Sequence, residues 1–187
     1  TPDDVLIGDV RLIDESREAA LAQATIEVQV DELNRGATPC RLTIVDEQGS
    51  LMTTGATSND HLAVRPGVIY CSTGRARFTV PTGKYTLYAG RGFEYSLAQA
   101  EFTISAGEQL QRSLTITREV PTDGWVSCDP HVHTFTYSRH GDSTIEERMI
   151  TIAGEGIELP VATDHKLQID FEPFARQLKV RPYFTPL

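Results

Sequence analysis

The chain has 187 residues, 40% of them hydrophobic, which gives room for one large domain or a domain and a half with a buried core and excludes a disordered chain. Lys and Arg total 17 against 26 Asp and Glu, and the net charge of −9 repels a phosphate backbone, so general nucleic-acid binding is excluded as well. No apolar run approaches the roughly 18 to 20 residues that cross a bilayer, so no membrane partner is expected and the chain reads as soluble.

Residues 1–24 read as a leader arm, in which "DESREAALAQA" (14–24) has too weak a period to decide between a short helix and an extended arm. From Thr25 to Thr117 one theme repeats: short stretches of period-two alternation separated by turn residues. Ile26, Val28 and Val30 alternate in "TIEVQV", Leu42 and Ile44 in "CRLTIVD", Phe78 and Val80 in "ARFTV". Tyr85, Leu87 and Ala89 continue the pattern, then Phe102 and Ile104, then Leu110, Leu114 and Ile116. Each such stretch turns one face to a core and the other to water. "DEQGS", "RPG", "PTGK" and "SAGEQ" supply the Gly, Pro and Asp that reverse a chain. Six or so strands with no helix signal between them predict an antiparallel β-sandwich over residues 25–120. Three cysteines are too few for a disulfide framework; Cys40 and Cys71, in this half, could bridge if the chain is exported, and two buried thiols are the plainer reading.

Near Thr122 the pattern changes, and residues 121–187 read as parallel βα units. "WVSCDPHVH" is a strand ending in histidines, with Cys128 expected as a buried thiol. In "DSTIEERMITIAGEG", Ile145, Met149, Ile152 and Ala153 fall on one helical face, with a capping box from Ser143 to Glu146 and a stop at Gly154 and Gly156. "IELPVATDH" is a second strand ending in acid and histidine, and "DFEPFARQLK" a second helix. The fold class is therefore mainly β, an antiparallel sandwich followed by an incomplete parallel βα segment.

Four of the five histidines fall between His131 and His165, and three of those four sit at predicted strand ends. Residues i and i+2 of a strand share a face, so His131 and His133 can offer two imidazoles to one ion. If the two strands are neighbours, His165 and Asp164 join them, since βα folds gather functional groups where strands end. His140 and Asp142 in the intervening loop are further donors, and Asp129 and Asp164 can orient imidazoles from behind or bind metal themselves. His61, isolated in the sandwich, is expected to be structural or solvated. No Ser-His or Cys-His nucleophile pairing is evident, so no catalytic residue is assigned.

The segment "DPHVHTFTYSRHGDSTIEERMITIAGEGIELPVATDH" resembles the first two motifs of the polymerase and histidinol phosphatase (PHP) superfamily, and within it the carbaryl-hydrolase-like CehA/McbA subfamily. "VPTGKYTLYAGRGFEY" resembles the closing strands of a carboxypeptidase-regulatory or transthyretin-like module, which members of that subfamily often carry in front. The resemblance implies that His131 and His133 are ligands of the first motif and His165 of the second, with His140 and Asp142 at a loop position that ligates in some members. It also implies a hydrolase of two or three divalent ions, zinc, manganese or iron, acting on a small-molecule phosphoester or related ester. This sequence departs at Cys128, Pro130, Arg139 and Lys166, none of them a histidine; the Lys166 ammonium is expected to point outward. The family's later Glu, His and Asp-x-His ligands have no counterpart before Leu187, so the chain is expected to be a piece of a longer protein, its ion site partial or empty and its activity slight.

A second reading gives the function to the sandwich, as an accessory module that binds carbohydrate or protein through Tyr70, Tyr85, Tyr88, Phe93 or Tyr95, most of which are nevertheless expected in the core. A third makes the sandwich a purely structural shield. The missing start methionine, the acidic surface and the sandwich together suggest a periplasmic or secreted protein.

Overall fold

The computed structural model describes residues 8, 12 and 14–187, and what the sequence suggests for the other leader residues lies outside them. A single helical turn, α1 (Arg17–Ala20), precedes nine strands: β1 (Gln23–Glu32), β2 (Gly36–Ala37), β3 (Cys40–Asp46), β4 (Leu62–Arg65), β5 (Val68–Cys71), β6 (Arg75–Pro81), β7 (Gly83–Gly90), β8 (Ala98–Ile104) and β9 (Gln109–Ile116). They form two sheets. β1 takes β9 in parallel along one edge, while β6 and then β2 pair with successive stretches of the other, both antiparallel. The second sheet runs β4-β5-β3-β7-β8, antiparallel throughout. The protein is thus mainly β, with one mixed and one antiparallel sheet stacked as a sandwich.

Alternation decides which face is which. Ile26, Val30, Leu42, Ile44, Ile69, Leu87, Ile104 and Ile116 are wholly buried between the sheets, each worth roughly 1.5–3 kcal/mol of transfer out of water. β1 begins two residues earlier than expected, because Ala24 is already a core residue opposite Val80.

Beyond the sandwich lie β10 (Cys128–Val132), α2 (Phe135–Ser138), α3 (Ile145–Gly154), β11 (Leu159–Ala162), α4 (Glu172–Gln177) and a short 3-10 turn at Arg181–Tyr183. β10 and β11 pair in parallel. On the far edge of β11, Thr185 N–H donates to Glu158, Leu187 N–H to Pro160, and Ala162 N–H to the Leu187 carbonyl, so residues 185–187 extend the ladder in the same sense.

Two details differ from the sequence reading. α3 is capped by Thr144 with Glu147, not Ser143 with Glu146; Ser143 is occupied elsewhere, its hydroxyl taking a hydrogen bond from Arg65 and its carbonyl one from Phe135 N–H. Cys128 is exposed, not buried, since β10 is covered only at Val132.

α3 joins the two halves. Its buried face, Ile145, Met149, Ile150, Ile152 and Ala153, shares a second core with Val132, Phe171, Leu178 and Val180, and with Ala63 of β4. Part of the outer face of β3, β4 and β5 is therefore a seat for this helix.

Candidate metal centre

Local chemistry sets where the histidines go. The β10–β11 register shifts between Asp129 and Val132, the stretch that contains Pro130. The strands are locked again at Thr163, whose N–H and hydroxyl both donate to the Val132 carbonyl at 2.9 and 3.1 Å. His133 and Asp164 therefore leave neighbouring strands side by side, immediately past the last shared rung.

One ring nitrogen from each of His133, His140 and His165 lies within 4.8 Å of the other two. The His133 ring centroid is 4.6 Å from that of His165, 4.9 Å from His140 and 4.7 Å from His131. His133 Nδ1 and His140 Nε2 are 3.1 Å apart. A tetrahedral ion with bonds of about 2.1 Å holds its nitrogens about 3.4 Å from one another, so the three donors need to close by an ångström or so to grip one. His133 Nε2 is buried and, among the described residues, has no hydrogen-bond partner. Desolvation, reinforced by His165, His131 and His140 and opposed by Asp164, holds the His133 imidazolium below its usual pKa. A neutral ring with a buried, unanswered nitrogen is a costly arrangement for a structural histidine and the form a cation needs.

The carboxylates are turned to other tasks. Asp164, 4% exposed, accepts from Thr134 N–H at 2.8 Å, from the Thr134 hydroxyl at 3.1 Å and from the Ser138 hydroxyl at 2.6 Å. Ser138 Oγ in turn accepts from His165 N–H at 3.1 Å. Asp164 thus braces the backbone on both sides of the cluster; no imidazole donates to it. Asp129 accepts from His131 N–H at 3.0 Å and holds the turn in β10. Asp142 is not in the group of donors that converges with the three histidines; its carboxylate is 2.9 Å from Arg65 Nε, and that guanidinium keeps it below the ordinary carboxylate pKa.

Arg65 carried no sequence signal, being a strand-end arginine of the sandwich. Its guanidinium also donates to the Asp142 carbonyl, to Ser143 Oγ at 2.9 Å and to both Glu147 oxygens at 3.1 and 3.2 Å, and so fastens the loop that carries His140. Arg148 of α3 donates to the His133 carbonyl at 3.1 Å. Lys166 is exposed beside His165. Between these groups and the sandwich opens a cleft of about 640 Å³, lined among others by Arg65, Tyr70, His131, His133, Arg148 and Glu155.

The aromatic residues do not form one platform. Tyr85 is buried, Tyr70, Tyr88 and Tyr95 are half-buried, and Phe93 is fully exposed. His61 is exposed.

No protein-family model matches the chain, and no curated protein matches it. Among solved structures it is similar to GBS52, the minor pilin of Streptococcus agalactiae, at 13% identity and a TM-score of 0.41 over 55% of this chain and 47% of that one. It is similar to the Bacillus anthracis TIE protein at 20% identity and a TM-score of 0.36, over 52% of this chain and 18% of the other. It is also similar to BcpA, the major pilin subunit of Bacillus cereus, at 14% identity and a TM-score of 0.34 over 49% and 29%. The chain thus spans less than half the length of each of these three proteins, and likenesses this slight leave function to be argued from the site itself.

Proposed function

We propose that the chain carries part of the metal centre of a hydrolase similar to the PHP superfamily, with His133, His140 and His165 as ligands of one divalent ion and His131 at their side. The unpartnered, buried Nε2 of His133 carries this reading, supported by the three converging ring nitrogens. Imidazole suits zinc and iron, and manganese where carboxylates join it. A bound ion would supply Lewis acidity, bringing the pKa of a water molecule toward 7 and polarising a phosphoester or related ester. The chain's own residues do the positioning. Asp164, through Thr134 and Ser138, holds the backbone of His133 and His165; Arg148 holds the His133 carbonyl; and Arg65 holds the loop of His140. The adjoining cleft has the size of a small-molecule site. Three imidazoles suit a single ion, and Asp129, Asp142 and Asp164 are already engaged, so this ligand set supports ion binding with little hydrolysis.

Equilibrium dialysis against zinc, with metal analysis of the protein, tests the reading. We expect about one ion per chain at micromolar zinc, and at least a tenfold loss of affinity in His133→Ala and His165→Ala. A wild-type chain that takes up no ion at that concentration overturns it.

A second reading, an accessory sandwich that binds carbohydrate or protein at the cell surface or in the periplasm, draws on a separate groove. It measures about 540 Å³ on the outer face of the β1–β6–β9 sheet and is lined by Gln29, Arg75, Arg77 and Gln111, whose amides and guanidiniums can donate to hydroxyl and carboxylate ligands, and by the acceptor carboxylate of Glu27. Glycan-array binding that disappears in Arg75→Ala with Arg77→Ala would favour it.

A further inference from the structure

We infer that Cys40 and Cys71 close a cross-strand disulfide when this protein folds in the presence of a small-molecule disulfide oxidant. Cys40 at the start of β3 faces Cys71 at the end of β5 as direct antiparallel partners. Direct partners have Cα atoms about 4.5–5.5 Å apart, inside the range a disulfide spans without backbone movement. Both side chains point into the sandwich core at 0% exposure, and their sulfurs are 3.2 Å apart. Closing that gap to a bond of about 2.05 Å asks for small side-chain rotations only. Cys128, exposed on β10, is the remaining thiol.

The alternative is a pair of buried thiols, each a weak hydrogen-bond group facing another. The same contact explains when the bond must form. The hydrogen bond with Cys71 and burial both push the Cys40 thiol up, and a thiol without thiolate character does not attack. Closure therefore precedes the packing of β3 on β5, or follows their local opening. In the open chain the Cys40 thiolate attacks one sulfur of oxidised glutathione, forming a mixed disulfide and releasing one glutathione thiolate. The Cys71 thiolate then attacks Cys40 Sγ and releases the second. The two cysteines lose two protons and two electrons, and the oxidant leaves as two reduced glutathiones.

The position of the bond gives it a role. A Cβ added to Gly154 of α3 would lie 3.0 Å from the Cys40 carbonyl and 2.9 Å from the Tyr70 ring, so this rung of β3 and β5 is the floor on which the helix ends. A covalent tie there fixes the seat of the helix that links the two histidine-bearing strands.

The test is to refold the chain carrying Cys128→Ser in a glutathione redox buffer, denature it, and alkylate free thiols. We expect no label, a mass lower by two hydrogens than the reduced chain, and a peptide containing Cys40 linked to one containing Cys71. The oxidised protein should melt about 5–10 °C above its reduced form. Two labelled cysteines after oxidative refolding overturn the inference. Wild type gives an independent answer if the substituted chain refolds poorly: a single label carried by Cys128 supports the bond, and three labels or a label on Cys40 or Cys71 overturn it.

Discussion

Asp164 reads in the sequence as a partner for imidazole and serves in the structure as a backbone brace. The sequence shows a carboxylate beside a histidine; it does not show that Thr134 and Ser138, about thirty residues earlier, arrive with three donors for it. Asp164→Asn replaces one acceptor oxygen with an amide donor, leaves hydrogen bonds unmade in a buried site, and should cost about 1–3 kcal/mol in urea unfolding. Spacing singled out the histidines as candidates, but the pairing of His131 with His133 on one strand face is not what the structure shows: the converging nitrogens belong to His133, just past β10, to His140 of the loop and to His165, with His131 outside that group. The isolation of His133 Nε2 was not legible either, since burial of a single atom depends on everything packed around it. Tyr70 offers a pH-dependent check. Burial and its hydrogen bond to Glu155 raise the phenol from 10 to about 12. A raised folded pKa stabilises fully below the unfolded value and is lost as pH climbs through the folded one. Alkaline denaturation between pH 10 and about 12 should therefore be shallower in Tyr70→Phe than in wild type.

At the scale of elements, α3 was visible from its period and glycine stop, but its capping residue was misplaced by one. Ser143 and Thr144 are equivalent candidates in sequence; Arg65, nearly eighty residues away, claims Ser143 and leaves Thr144 to cap. The same arginine makes the sandwich a support for the His140 loop. Arg65→Met should leave the fold standing, since the stem still packs, while weakening zinc binding roughly tenfold in a competition titration. Unchanged affinity beside normal wild-type binding would separate Arg65 from the centre without touching the histidines. Gly154 shows how close the helix sits. With the Tyr70 ring at 2.9 Å and the Cys40 carbonyl at 3.0 Å from an added methyl, Gly154→Ala must lift α3 or turn Tyr70, and we expect about 1–3 kcal/mol lost. Calorimetry would read it.

Over the whole molecule, the sequence pattern changes near Thr122, from strands that alternate to a strand-helix-strand stretch. What it hides is that the two parts share a wall. Ala63 belongs to the core of the second half, and the buried Arg91, directly after β7, reaches the Ala153 carbonyl, Thr38 and Tyr95 while lying 5.0 Å from the Tyr183 ring centre. Long-range seams of this kind leave no local period to read. They predict that heating unfolds sandwich and histidine strands together, and that zinc at about a hundred times its Kd raises the common midpoint by roughly 5–8 °C. Two separate transitions in the calorimetric trace, only one shifted by zinc, would contradict that.

Pro130 has an effect at the rim of its own strand. Among the described residues β10 pairs with β11 alone, which leaves its outer rim without a strand partner. A ring nitrogen without hydrogen in the middle of five residues cuts that rim into pieces too short to template a neighbour. Pro130 thus discourages the protein from polymerising through the strand that carries His131.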